Sequence, residues 1–266
     1  MFRRPGVSVL MDGLTDMDYD GDPSNDKTII AVIDSGLKVG HEDIDWTHIL
    51  TGQNFVNPGS DPTNTDDTLG HGTFCTGLMM AKKDNGVGIA GIAQDVYVMP
   101  LKVFQSRSVS TSVIVSAINY AAQQRAAFNE SKGQEGTNIS VINMSLGGEA
   151  AETSLKNAVQ AAIDAGIIVI CAAGNDGDYT ASYPAQDAIG VGSTDSAKKV
   201  SYYSQRMSQA NGTGYENKVW VVAPGEDVTS LYKESTTSYY TGSGTSFSTP
   251  EVSALAALAV SLRNDL

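Results

Sequence analysis

Apolar and polar positions along this chain follow two different rhythms. Thr28-Ile29-Ile30-Ala31-Val32-Ile33 is apolar at nearly every position, as a strand covered on both faces must be. Residues 96–103, 139–143 and 167–171 read the same way. Between the last three, residues 111–128 and 152–165 place apolar side chains at helical spacing, and Gly166 ends the second stretch. Strand, helix and strand in this order predict a parallel sheet covered by helices, with right-handed crossovers. Residues 188–193 and 218–232 predict shorter strands, and 57–70 and 129–138 predict polar loops. The Ala-rich run 252–260 predicts a central helix, entered through Gly244-Thr245-Ser246-Phe247-Ser248-Thr249-Pro250. No repeat and no Pro- or Ser-rich linker divides the chain, so residues 1–266 are expected to form one domain.

Composition narrows the function classes. A net charge of −13 argues against nucleic-acid binding, which needs clustered Lys and Arg, and is read as a solubility device. Cys75 and Cys171 are too few for a disulfide scaffold and lie in apolar surroundings, so both are expected as buried free thiols. There is no apolar run of about 18 residues, hence no expected membrane helix. Met1-Phe2-Arg3-Arg4-Pro5 lacks the apolar segment of a secretion signal, which suits either a cytoplasmic chain or the mature form of something longer.

Candidate chemistry sits at the ends of the apolar runs. Asp34 follows the first of them, where open α/β sheets place their ligands. His71, in Gly70-His71-Gly72-Thr73, opens a predicted helix between glycines that leave its ring unobstructed. Asn175, in Ala173-Gly174-Asn175-Asp176-Gly177, stands just past another buried strand, where its amide can donate to an oxyanion. Ser246 lies near a helix start, where free N–H groups favour developing negative charge. Each taken alone has an ordinary structural explanation, a turn or a cap. His41 and His48 lie in a polar loop segment and are expected to have no chemical role.

Together, in the order Asp, His, Asn, Ser, the four resemble the subtilisin-like serine protease family. The resemblance extends over about residues 20–262 and rests on Val32-Ile33-Asp34-Ser35-Gly36, Gly70-His71-Gly72-Thr73, Ala173-Gly174-Asn175 and Gly244-Thr245-Ser246. It implies an α/β, three-layer fold with a mostly parallel central sheet and helices on both faces, here with a C-terminus short for the family. It also implies a serine endopeptidase. Ser246 would be the nucleophile, His71 the base, Asp34 the residue that orients it, and Asn175 an oxyanion donor. Ser145, Leu146 and Gly147 would pair with substrate as an added strand, opposite a wall at 102–107. Ala172, Ala173, Gly174 and Ser182 would line the pocket for the residue before the scissile bond, with Asp176 and Asp178 at its rim. Asp43, Lys83, Asn85, Val87 and Ile89 would hold a structural calcium ion. Asn85 would offer its side-chain oxygen, and Lys83, Val87 and Ile89 their backbone carbonyls. Asp16 to Asp22 starts like a calcium loop, yet Lys27 replaces the closing Glu, which favours a solvated acidic turn.

Departures from the family pattern are Phe74 and Glu251, each where relatives carry His. Cys75 resembles the subgroup with a thiol behind the catalytic histidine. The resemblance further implies polypeptide substrates, a propeptide or inhibitor as partner, a monomer, and secretion. The rival readings are a silent peptide-binding relative and an esterase or peptide ligase on the same triad.

Overall fold

The structure is a computed structural model that describes residues 27–262 apart from 58, 60, 107 and 207–218. The acidic stretch Asp16 to Asp22 and Arg107 therefore lie outside the described residues. Seven strands form one sheet: β1 Ile29–Asp34, β2 Gln53–Asn54, β3 Tyr97–Lys102, β4 Ile139–Met144, β5 Ile168–Ala172, β6 Ile189–Thr194 and β7 Val219–Pro224. Their spatial order is β2-β3-β1-β4-β5-β6-β7, and every neighbouring pair is parallel. A separate antiparallel hairpin joins β8 Val228–Leu231 to β9 Tyr239–Gly242.

The sheet has a helix layer on each side. Ile29, Ala31 and Ile33 of β1 face a core shared with α2 Thr111–Ser131 and α3 Thr153–Asp164. Ile30 and Val32 face the other way, towards Met79 and Met80 of α1 His71–Met80 and Ala254 and Ala257 of α4 Thr245–Ser261. This two-sided cover is why β1 is apolar at successive positions instead of alternating. Each Ile, Val or Met side chain among them contributes roughly 1.5–3 kcal/mol when fully buried. In α3 the buried residues are Leu155, Ala158, Val159 and Ala162, one stripe at helical spacing. In α4 Ser248, Thr249, Ser253, Ala254 and Ala257 are all buried, and small residues let this central helix pack closely against the sheet.

Two expectations need correction. Residues 129–131 belong to α2 and not to a loop. The helix runs on until Lys132 turns left-handed at φ 54° and the Gly133 N–H closes back on the Phe128 carbonyl at 2.9 Å. The expected strand at 218–232 is two strands, β7 and β8, separated by a turn at 225–227, and residue 218 lies outside the described residues. Among the described residues no helix is long and apolar enough to cross a membrane.

Candidate active site

The carboxyl ends of the parallel strands converge on one edge of the sheet, and the helix starts meet them there. Asp34, the last residue of β1, is wholly buried. Its Oδ1 accepts from the Ser35 N–H at 2.7 Å, and Ser35 Oγ accepts in turn from the Gly72 N–H at 2.8 Å. That link brings the first turn of α1 against the end of β1. The approach needs glycine: a Cβ at Gly72 would come within 2.3 Å of the Gly36 carbonyl oxygen.

His71 is the first residue of α1. Its Nδ1 lies 2.8 Å from Asp34 Oδ1 and 3.0 Å from Oδ2. A carboxylate only accepts, so Nδ1 carries the proton and Nε2 is left to act as a base. Burial, the largest single influence, disfavours the imidazolium, but the charge and hydrogen bond of Asp34 and the charge of Asp67 together outweigh it, and the net pKa is raised above 6.5. Sequence reasoning missed what holds this helix start. Asp67, 2% exposed, accepts from the N–H groups of Leu69, Gly70 and Thr73 and from the Thr73 hydroxyl, all within 2.9 Å. An Asp shortly before the first helical residue is a capping signal, and could have been read as one.

Ser246 is the second residue of α4. Its hydroxyl donates to the Ser145 carbonyl at 3.0 Å. Pro250 lies four residues on and has no N–H to offer the Ser246 carbonyl, which accepts instead from the Cys75 thiol at 3.5 Å. Cys75 also lies beside Asp34 and His71, the ligand atoms of all three within 4.8 Å of one another. Burial first, then the Asp34 charge, raises its pKa well above the usual thiol value, so it stays a neutral thiol. Cys171 is likewise buried and free. Cys75 thus packs between the Asp34–His71 pair and the backbone of Ser246.

Asn175 follows β5. Its Oδ1 accepts from the Thr245 N–H at 2.8 Å and the Thr245 hydroxyl at 3.0 Å. Both bonds use the oxygen, which leaves the NH₂ end turned away from Thr245. Phe247 stacks on Phe74 with ring centroids 4.0 Å apart, and lies 5.8 Å from the His71 ring. Phe74 thus fills its position as an aromatic platform.

A cleft of about 430 Å³ passes His71 and Ser145 and is walled by Phe74, Phe104, Leu146, Tyr232, Tyr240 and Phe247. Leu146, Gly147 and Phe104 are among the residues that line it. Lys102 does not face the cleft. It is 5% exposed, and its Nζ turns inward to the Asp66 carbonyl at 2.5 Å.

The residues expected to line the preceding pocket lie close together. Ser182 donates its N–H to the Ala173 carbonyl at 2.7 Å, and Gly148 and Tyr183 exchange both backbone bonds at 2.9 and 2.8 Å. A Cβ at Gly147 would meet Ser182 Cβ at 3.0 Å, and one at Gly174, where φ is 116°, would meet Ser182 Oγ at 2.5 Å. Ser182 therefore sits between the two glycine-bearing segments. Ala172 and Ala173 are 4% and 0% exposed, and Ala173 packs into the core.

Of the expected calcium residues, Asn85 and Ile89 contact Asp43, which is wholly buried, whereas the Lys83 N–H donates to Gln94 Oε1 and the Val87 N–H to Asn85 Oδ1. Asn85 Nδ2 donates to Asp43 Oδ1 at 2.6 Å, and Asp43 Oδ2 accepts from the Ile89 N–H at 3.0 Å and the Tyr239 hydroxyl at 3.3 Å. Among the described residues no Lys or Arg forms an ion pair with Asp43. A buried carboxylate without a compensating positive charge suits a cation, and an amide turned over presents oxygen where it now presents nitrogen. Asp43 and a turned-over Asn85 would offer the hard oxygens that calcium takes, while the Ile89 N–H and the Tyr239 hydroxyl donate to Asp43 as the structure stands. His41 is wholly buried beside it and structural, its Nε2 3.0 Å from the Ser238 carbonyl oxygen and its Nδ1 accepting from the Asp43 N–H at 3.3 Å.

Comparison with known proteins decides the family. The model of the Subtilase family matches residues 25–266. The chain belongs to the Subtilase family. It is 35% identical to thermitase of Thermoactinomyces vulgaris over 87% of this chain and 74% of that protein. It is 34% identical to the major intracellular serine protease of Bacillus subtilis (strain 168), over 86% of this chain and 67% of that protein. Among solved structures, the S41 psychrophilic protease superposes with a TM-score of 0.77 at 30% identity, covering 91% of this chain and 80% of that one. The chain therefore has the subtilase fold and is a subtilisin-type serine protease.

Proposed function

We propose that this subtilase is an endopeptidase that cuts extended polypeptides through an acyl-enzyme on Ser246. The observation that carries the reading is the 2.8 Å bond between His71 Nδ1 and the buried Asp34 carboxylate, with Ser246 held next to that pair through Cys75. His71 Nε2 takes the proton as Ser246 Oγ attacks the peptide carbonyl, and later returns it to the leaving amine. The hydroxyl leaves the Ser145 carbonyl to do so; catalytic hydrogen bonds commonly tighten only once substrate is present. Asp34 holds the reactive tautomer and stabilises the imidazolium. The Asn175 NH₂ group and the Ser246 N–H stabilise the oxyanion, the latter aided by the α4 dipole. Substrate adds as a strand along 145–147, which favours unfolded chains, and the pocket around Gly174 and Ser182 takes the residue before the cut bond.

A structural calcium ion belongs to the same proposal, held by Asp43, by Asn85 and by the carbonyls of Lys83, Val87 and Ile89. It would neutralise the buried carboxylate and pin the loop. Secretion and a monomeric state rest on the family resemblance.

Steady-state kinetics on peptide anilides test the assignment. Ser246→Ala is expected to reduce kcat to background. Asn175→Gly is expected to lower it roughly 10²–10³-fold, a range carried over from the corresponding donor in subtilisin. Full activity in Ser246→Ala would refute the nucleophile. Activity on esters with none on peptides would favour the esterase reading, and no acyl transfer at all the silent one.

A further inference from the structure

Gln205 lies on no strand or helix, yet its side chain is buried, 4% exposed. Its side-chain amide bonds to the turn that carries Asn175. Oε1 accepts from the Asp176 N–H at 2.9 Å and the Asp178 N–H at 3.3 Å, and Nε2 donates to Asp176 Oδ2 at 3.1 Å. The backbone of Gln205 holds the other flank, its N–H donating to the Gly174 carbonyl at 3.1 Å. The residues immediately before and after Asn175 are thus tied to one residue. Packing reinforces the bonds: a Cβ at Gly174 would meet the Gln205 amide carbon and nitrogen at 3.1 Å. From the opposite side Thr245 fixes the Asn175 oxygen. Thr245 therefore orients the head of the Asn175 side chain, and Gln205 the backbone from which it springs.

We infer that Gln205 is a positioning residue for the oxyanion site: it sets where Asn175 presents its amide N–H groups. The inference rests on the reading of Asn175 as an oxyanion donor. Such a donor works only within hydrogen-bond distance of the oxygen as charge develops, so a displacement of the turn costs rate in the chemical step, and that part of the loss requires Asn175 to be present. A Gln that served packing alone would alter stability without acting through Asn175.

A double-mutant cycle on a peptide anilide separates the two roles. Gln205→Leu is expected to lower kcat at least about tenfold, and to have less than about twofold effect on kcat in an Asn175→Gly background, any change in KM through Gly174 being common to both backgrounds. The same loss in both backgrounds, or no loss in either, would overturn the role. Gln205→Glu, nearly the same shape, gives a second readout that survives any failure of the Leu variant to fold. When ionised, the introduced carboxylate repels that of Asp176; when protonated, it regains one donor and one acceptor and restores the clamp. The ratio of this variant's kcat to that of the native chain should therefore rise as pH falls, His71 titrating in both and cancelling. A ratio flat with pH contradicts the clamp. A native chain that cleaves no peptide would instead overturn the proposed function, and is distinguishable because every ratio then lacks a reference.

Discussion

Two forces of opposite sign act on His71. Burial opposes its positive charge most strongly of any single influence, while Asp34, wholly buried and 2.8 Å away, favours it and, with the Asp67 charge, prevails. Because the base must be neutral, the acid limb of kcat/KM is expected above pH 6.5, the ordinary value. Asp34→Asn should move that limb down and lower kcat roughly 10⁴-fold by spoiling the tautomer, the size known for the chymotrypsin-type triad. A pH–rate profile with the limb unmoved in the variant would contradict the pairing. The same shift carries a stability consequence. A raised folded-state pKa means that the pair's stabilising contribution is fully present below about pH 6.5 and is lost as pH rises through the folded value.

Helix α4 joins chemistry to packing. It carries Ser246, interrupts its own ladder at Pro250 and fixes itself to β4, with Ser253 Oγ donating to Asn143 Oδ1 at 2.9 Å and Asn143 Nδ2 donating to Ser145 Oγ at 3.1 Å. The residue after Pro250, Glu251, has its pKa pushed up to about 7 by burial. For a carboxyl group raised in the folded state, stability is greatest at low pH and falls as the group is forced to ionise towards and above pH 7. Glu251→Gln is accordingly expected to be more stable than the native chain at pH 8–9, by roughly 1–3 kcal/mol, and to converge with it near pH 4–5. Urea melts across that range check it, and a difference independent of pH would contradict the role of burial.

Legibility in the sequence also divides by element. The buried strands could be read because both faces are covered, so Ile29 to Ile33 and Ile139 to Ile142 spell out their state locally. The two-residue β2 and the exposed β9 could not, since Gln53–Asn54 and Tyr239–Gly242 are strands only through their partners. The polar Asn129-Glu130-Ser131 read as a loop because the end of α2 is solvated. Asp34, His71, Asn175 and Ser246 were legible from their flanking motifs and order. Gln205 was not, because the turn it clamps lies 29 positions away and no local pattern marks it.

At the scale of the whole molecule, residues distant in sequence meet along the carboxyl edge of one parallel sheet, and the loop around Asp43 meets the β8–β9 hairpin through Tyr239. If calcium neutralises Asp43, saturating ion at about 100 Kd contributes roughly 2.7 kcal/mol. For a chain of this size that is about 5–10 °C in melting temperature. Chelation should lower the melting temperature by that amount, and Asp43→Asn should abolish the response; a melt indifferent to chelator contradicts the site. The central claim is that Ser246 is the activated nucleophile. Its most direct test is the intact mass of the native chain after treatment with a fluorophosphonate, followed by peptide mapping. One adduct per chain on Ser246, absent from Ser246→Ala and strongly slowed in His71→Ala, is the predicted result. No adduct, or an adduct that persists in Ser246→Ala, would contradict it.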